Sequence, residues 1–281
     1  MTETEKFADS AARRVSVVIP VWNQVEYTRG CLASLKADLA AGLELVLVDN
    51  GSTDSTPQFL ADLTGVTVIT NETNCGCATA WNQGVRAATR EWIVILNNDV
   101  VLGTGWLDGM VEFAEQNGFD VVTPGIREGP LNYALPAYAA EFVQKMSAVQ
   151  RRGVANGICF MAPPRVFEKV GWFDEKFRIG QFEDADFFLR SKLAGFKMAT
   201  TGRAFLHHFG SITQKALRQS AGPYEAENRA YYRQKWKLTA PRRLSKRWRA
   251  RAREWWWRAD ERLRHGHTLH EKWICGRVHY F

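Results

Sequence analysis

The chain has 281 residues, 46% of them hydrophobic, and a formal net charge of +7. That is enough to bury one large core, or one core with a small appendage, and it excludes a disordered tail. The charge is local: residues 233–264 carry thirteen Lys/Arg against three acids, a balance of +10 that leaves −3 for the remainder. The polar start MTETEKFADSAARR has no basic region leading into an apolar one, so no secretory signal is expected. No run nears the roughly 18 apolar residues of a membrane span. Five cysteines (Cys31, Cys75, Cys77, Cys159, Cys275) form no framework and fit a reducing compartment, the cytoplasm. Cys75-Gly-Cys77 lacks a second pair at finger-like spacing and reads as a tight turn, not half a zinc site.

VSVVIP (15–20) predicts a strand, followed by a helix with Cys31, Leu32, Leu35 and Leu39 on one face. The alternation repeats. ELVLVD (44–49) precedes a Ser/Thr-rich turn in which Asp54 is read as a helix cap, and VTVIT (66–70) precedes AWNQGVRAA. EWIVIL (91–96) precedes WLDGMVEFAEQ, and FDVVTP (119–124) follows. Such β-α order implies a mostly parallel sheet flanked by helices, with ligands at the carboxyl ends of the strands. VWNQ, DNGSTD and NNDV all fall directly after strands. Residues 125–155, with two prolines and three glycines, read as an excursion across the sheet face. Order returns at GICFMAP (157–163), with a helix starting at Pro163 or Pro164. Then come FEDADFFLRSKLAGF, a short strand, LHHFGS and a tail read as helical. No G-x-G-x-x-G follows the first strand and no G-K-[ST] occurs, which argues against dinucleotide and P-loop enzymes.

The strand ILNND raises a physical question, since Asn97, Asn98 and Asp99 are costly to desolvate unless something binds them. Four motifs in order supply an answer: PVWN (20–23), VDNGSTD (48–54), LNND (96–99) and FEDADFFLR (182–190). With Asn74, Gly76, Ala78, Ala80, Asn82 and Gly84 between them, they resemble the inverting, nucleotide-sugar-dependent family 2 glycosyltransferases of GT-A fold over roughly residues 15–212. LNND and GWFDEKF look similar to bacterial transferases that build rhamnose-containing or related surface polysaccharides. The resemblance implies a Rossmann-like, mostly parallel sheet in a catalytic domain spanning 15–221, between an N-terminal tail (1–14) and a helical, basic, Trp-rich extension (222–281). Asn97-Asn98-Asp99 stands at the family's D-x-D triplet, with Asp99 as ligand of Mn²⁺ or Mg²⁺ and His208 as a further ligand. His207, adjacent on the strand, cannot share its face. Implied donor-side residues are Pro20, Val21, Trp22, Asn23, Asp49, Asn50, Gly76, Asn82, Asn97 and Asn98, with Asp49 accepting from a pyrimidine, hence a UDP- or dTDP-sugar. Asp184 is implied as the base that deprotonates the acceptor hydroxyl, and Glu183 as its orienting neighbour. Asp186 is expected to face solvent or cap the turn. Lys215 and Arg218 read as a closing loop or a solvated one.

In the tail, Leu244, Trp248, Ala252, Trp255, Ala259 and Leu263 form a helical stripe, widened by Trp256 and Trp257 among Arg243, Lys246, Arg247, Arg249, Arg251 and Arg253. Two readings stand: a helix lying on anionic lipid at the inner face of the cell membrane, which suits a lipid-linked acceptor, or a stripe packed on the catalytic domain or another subunit. Nucleic acid is not the expected partner, and a homo-oligomer stays open. The alternative to an enzyme is a non-catalytic GT-A-like carbohydrate- or lipid-binding protein.

Overall fold

The computed structural model describes residues 10–210, 212 and 224–281, the side chains of 240–247 excepted. The expected tail over 1–14 thus lies mostly outside the described residues, as do the boundary at 221/222, Lys215, Arg218 and the side chains of Arg243, Leu244, Lys246 and Arg247. Four strands, β1 (Val15–Val21), β2 (Glu44–Asp49), β3 (Thr67–Thr70) and β4 (Trp92–Leu96), run parallel in the order β3-β2-β1-β4. β1 and β4 are covered on both faces, which is why their sequences are continuous apolar runs with no polar alternation. Successive side chains divide between two cores. Val17 and Ile19 point to one face and Val18 to the other.

On the first face lie α1 (Val25–Ser34), the short α2 (Lys36–Ala40) and α5 (Trp106–Asn117); on the second lie α4 (Cys77–Ala87), α7 (Pro164–Val170) and α8 (Glu183–Leu193). α3 (Thr56–Ala61) follows β2. Asp54 accepts from the Thr56 and Val25 N–H groups, so it caps as expected. α4 presses close on β1: a Cβ at Gly84 would meet Val18 Cγ1 at 2.1 Å. That approach brings the loop before α4 to the carboxyl ends of β1 and β2.

The sheet continues past β4 through antiparallel β8 (Cys159–Ala162) to β6 (Val121–Glu128), which pairs parallel with the long β9 (Met198–His208). β5 (Val100–Leu102) and β7 (Gln150–Arg152) both pair antiparallel with β9. The stretch 125–155, expected to be an irregular excursion, instead carries the end of β6, helix α6 (Leu135–Met146) and β7; α6 packs Phe142 and Met146 into a third, smaller cluster.

The extension is not wholly helical. After α9 (Tyr224–Lys235) and α10 (Ala240–His265), a hairpin of β10 (His270–Ile274) and β11 (Arg277–Tyr280) joins the central sheet, β10 lying parallel to β6. α10 is tied to β7 by a buried pair: Arg151 donates twice to Glu261, at 2.8 and 2.9 Å, and Glu261 also accepts from the Leu269 N–H. Breaking such a pair strands a buried charge, so Glu261→Gln should cost about 3–5 kcal/mol. Urea unfolding of the full chain checks this, and a loss below about 1 kcal/mol would mean the pair is solvated.

Candidate active site

The carboxyl ends of β1, β2 and β4 and the N-terminus of α8 open on one cavity of about 500 Å³. Of the residues expected from sequence, Pro20, Val21, Trp22, Asn50, Asn97, Asn98, Asp99, Glu183, Asp184 and His208 line it. Asn23, Asp49, Gly76 and Asn82 do not, and three of them have work in building its walls. Asn23 accepts through Oδ1 from the Thr53 and Asp54 N–H groups, stapling the turn after β1 to the turn after β2. Asp49, buried at the end of β2, accepts from the Ser52 N–H. Asn82 donates to the Phe173 carbonyl and Glu175 and accepts from the Phe173 N–H, so its amide fastens the loop after α7 and is spent before any donor arrives. Asn50 is a hub as well as a lining residue. It accepts from Asn71 and the Cys75 N–H and donates to Asn74 and the Gly76 carbonyl.

Asp99 ends the short turn between β4 and β5, and the β5–β9 register pairs Val100 with His208, which brings His208 Nε2 to 3.3 Å from Asp99 Oδ1. Asp99 Oδ2 accepts from the Ile212 N–H at 3.1 Å. Burial pushes the Asp99 carboxyl up, but the His208 bond and charge and the backbone donors outweigh it, so its pKa falls below the ordinary value. A carboxylate kept ionised beside an imidazole is the oxygen and nitrogen donor set that Mn²⁺ accepts. Among the described residues no cluster of three His, Cys, Asp or Glu side chains could hold a metal ion, so such a site would be completed by ligand oxygens. His207 points the other way on β9, its Nδ1 2.9 Å from the Tyr133 hydroxyl, and burial lowers its pKa to about 4. Alternation along the strand thus separates the two histidines.

α8 opens with Glu183 and Asp184 on the opposite wall. Burial raises Glu183 to about 8, the Asp184 charge adding to the effect, and burial raises Asp184 as well. Glu183 Oε2 has no hydrogen-bond partner among the described residues. Asp184 fits only because residue 157 is glycine: a Cβ there would meet Asp184 Oδ2 at 2.5 Å. Asp186, expected near solvent, is instead fully buried, accepting from Arg190, Trp236 and Lys235. Arg190 in turn donates to the carbonyls of Val170, Gly171 and Trp172, so Asp186 fixes α8 against the preceding loop and α9.

Several lining residues gave no sequence signal. Glu128 of β6 stands in register with His208, and His270 of β10 bonds it at 2.6 Å; against burial, that bond and charge lower it to about 2. Tyr224 of α9 also lines the cavity. The loop before α8 is strained, with Ile179, Gln181 and Phe182 at φ of 61°, 77° and 76°. Asn228 of α9 holds it, donating to the carbonyls of Arg178 and Gly180 and accepting from the Arg178 N–H.

A mostly parallel sheet with this polar edge is the architecture of GT-A glycosyltransferases. The sequence model of Glycosyl transferase family 2 matches residues 16–167, and the chain belongs to that family. It is similar to glycosyltransferase GlyG of Streptococcus pneumoniae, 29% identical over 112 residues, which are 38% of this chain and 37% of GlyG. It therefore spans little more than a third of GlyG's length. It is also similar to glycosyltransferase AglE of Haloferax volcanii, 25% identical over 224 residues, 74% of this chain and 72% of that protein. Among solved structures, GalNAc-T7 with UDP, GalNAc and Mn²⁺ superposes with a TM-score of 0.57 at 18% identity, covering 72% of this chain and 44% of that one. At that identity the likeness speaks to the fold alone.

Native Glu183 holds its proton more tightly than the unfolded chain does, so its stabilising contribution is full below 4.5 and is lost as pH rises through about 8. Glu183→Gln has no proton to lose. Its Tm should gain on wild type across that window and show no further gain below it, in thermal melts of both chains over a pH series. A difference independent of pH would mean that Glu183 is ionised in the fold.

Proposed function

We propose that the protein is a metal-dependent inverting glycosyltransferase that moves a sugar from a UDP- or dTDP-sugar to a hydroxyl of a glycan or lipid-linked acceptor, in bacterial surface polysaccharide synthesis at the inner face of the cell membrane. One observation carries the reading: the Asp99–His208 pair and the Glu183–Asp184 pair face one cavity, which also receives the backbone of Pro20–Trp22. Asp99 and His208 would hold Mn²⁺ or Mg²⁺, which when bound neutralises the charge of the departing diphosphate. Pro20, Val21, Trp22 and the amides of Asn50, Asn97 and Asn98 bound the donor side. The neighbour solved with UDP and Mn²⁺ supports this assignment by shared fold.

Across the cavity, Asp184 takes the proton of the acceptor hydroxyl as its oxygen attacks the anomeric carbon from the face opposite the diphosphate. Glu183, enclosed and protonated, leaves Asp184 as the ionised member of the pair. Its raised pKa makes it a stronger base than a solvated aspartate. Asp184→Asn should lower kcat by roughly 10²–10⁴-fold while donor binding persists, because only proton removal is lost. In wild type, kcat/KM should climb with pH through a pKa above the ordinary 3.8 and fall below it, since the base acts only when ionised. Donor hydrolysis should require added metal and vanish in Asp99→Ala. Near-normal turnover by Asp184→Asn would move the base elsewhere.

Among the described residues no helix is long and apolar enough to cross a membrane, and the proposed contact is with its surface. α10 supplies the surface. Trp248, Trp255 and Leu263 are 69%, 69% and 88% exposed and Trp256 is exposed beside them, while Arg249, Arg251 and Arg262 are exposed among them. Among the described residues Trp248, Trp255 and Leu263 of the stripe do not pack on the core, and tryptophans ringed by arginines suit the headgroup layer of anionic lipid. Sedimentation with phosphatidylglycerol vesicles should capture the full chain, and Trp248→Ser with Trp255→Ser should reduce capture by about tenfold. Equal capture of both proteins would discard the docking face.

A further inference from the structure

A second cavity, of about 490 Å³, lies between α8 and α10. One wall is the α8 face of Ala185, Phe188, Leu189 and Lys192, at the spacing that aligns residues on one side of a helix. The other wall carries Arg253, Trp257 and Arg258 of α10. Ala185, next to the proposed base, lines both this cavity and the catalytic one, so the two adjoin at the start of α8.

The charges here are not balanced. Arg151 is consumed by Glu261, and His270 by Glu128. Glu254, the remaining acidic side chain, sits 3.7 Å from Arg258, and the Phe281 backbone oxygen is taken by Arg151. Lys192 and Arg253 make no ion pair among the described residues, and Arg253 lies over the Trp257 ring at 4.8 Å. The Arg258 Nε is enclosed with no hydrogen-bond partner among the described residues, an N–H that a buried acceptor would satisfy. Two unpaired cations, an orphaned guanidinium donor and walls of Phe188, Leu189 and Trp257 fit an anion borne on an apolar chain. Arginine donors match a phosphate ester, whose oxygens accept several bonds at once.

The exposed tryptophan stripe occupies the side of α10 opposite these residues. A helix about 10 Å across, sunk roughly 5–10 Å into the headgroup boundary, brings its inner side level with lipid phosphates. We infer that the cavity between α8 and α10 is an acceptor subsite that binds the phosphate of a polyprenyl-phosphate type of lipid, leaving the attached sugar to reach past Ala185 toward Asp184. This rests on the transferase reading above and names the acceptor class of that same site.

The test uses the full chain, metal chelated to silence the donor side, and phosphatidylcholine vesicles doped to equal charge with either phosphatidylglycerol or polyprenyl phosphate. Wild type should bind the polyprenyl phosphate vesicles in excess of the phosphatidylglycerol ones, and inorganic pyrophosphate should compete away that excess alone. Lys192→Gln, an exposed substitution on α8, should weaken the excess roughly tenfold, the size of one charge-assisted contact, and leave phosphatidylglycerol binding in place. Arg253→Gln provides an independent second variant. No excess in wild type, or an excess and a pyrophosphate competition that both variants retain, overturns the subsite. Metal-restored donor hydrolysis in the same preparations separates the two readings. Its absence from wild type sinks the transferase while a specific lipid excess leaves the cavity assignment standing, and a wild-type melting temperature shows that Lys192→Gln is folded.

Discussion

Removing a carboxylate from water is costly, and this fold does it repeatedly around one cavity, at Asp99, Glu183 and Asp184 as well as at the His270-bound Glu128. Each group meets the cost differently. Asp99 stays ionised because the antiparallel register of β5 on β9 delivers His208 beside it. Glu183, with an oxygen that no described group satisfies, keeps its proton up to about 8. Asp184 lies half-buried at the opening, held by the N–H groups at the start of α8. Asp99, Glu183 and Asp184 thereby differ in proton affinity although all three are carboxyls, with Asp99 held ionised beside His208 and the pair at the start of α8 shifted upward. The rest of the architecture, from the parallel strands to the close packing of Gly84 on Val18, serves to bring those walls together.

The sequence was informative where structure is local. β1, β2 and β4 are unbroken apolar runs between turn-forming residues, and a strand buried on both faces has no other way to look. The polar motifs that follow them sit at strand ends, so chain order alone placed Pro20–Trp22, Asn50 and Asn97–Asp99 on one edge. Side-chain direction was another matter. Asn82 occupies its expected place in its motif, yet its amide turns to Phe173 and Glu175, partners more than ninety residues away that no spacing rule foretells. Asp186 reads as one more acid at a helix start until α9 brings Lys235 and Trp236 against it. Glu128, Gly157 and Asn228 stayed invisible for the same reason: each acts through a contact made only after distant segments pair. β10 escaped notice because HEKWI shows no apolar alternation: Lys272 is exposed, while the buried Glu271 is accommodated by His267 and the Thr268 N–H.

The C-terminal residues are part of the site, not an appendage to it. β10 extends the sheet beside β6, and its His270 fixes the Glu128 carboxylate that lines the candidate site. α9 contributes Tyr224 to the same wall and uses Asn228 to hold three consecutive-loop carbonyl and amide groups in a backbone conformation that Ile179 and Phe182 would not adopt unaided. Strain of that kind persists only where surrounding contacts over-determine it. A change in α9 or β10 is thus felt at Glu183 and Glu128 without any long-range wire, because the contacts are direct.

The orientation of α10 follows from the same logic. An ordinary amphipathic helix turns its apolar stripe to the core, yet here the stripe of Trp248, Trp255 and Leu263 faces away. What points inward is Glu261, bound to Arg151, with Arg258 over the Phe281 ring. A buried ion pair adds little net stability over an apolar contact of equal size, but it is directional, and one bidentate pair suffices to fix a helix's rotation about its own axis. Had leucines held the helix, the tryptophans could have rolled inward and closed the cavity against α8. A polar anchor inside and an apolar face outside keep that cavity open beneath an exposed tryptophan surface.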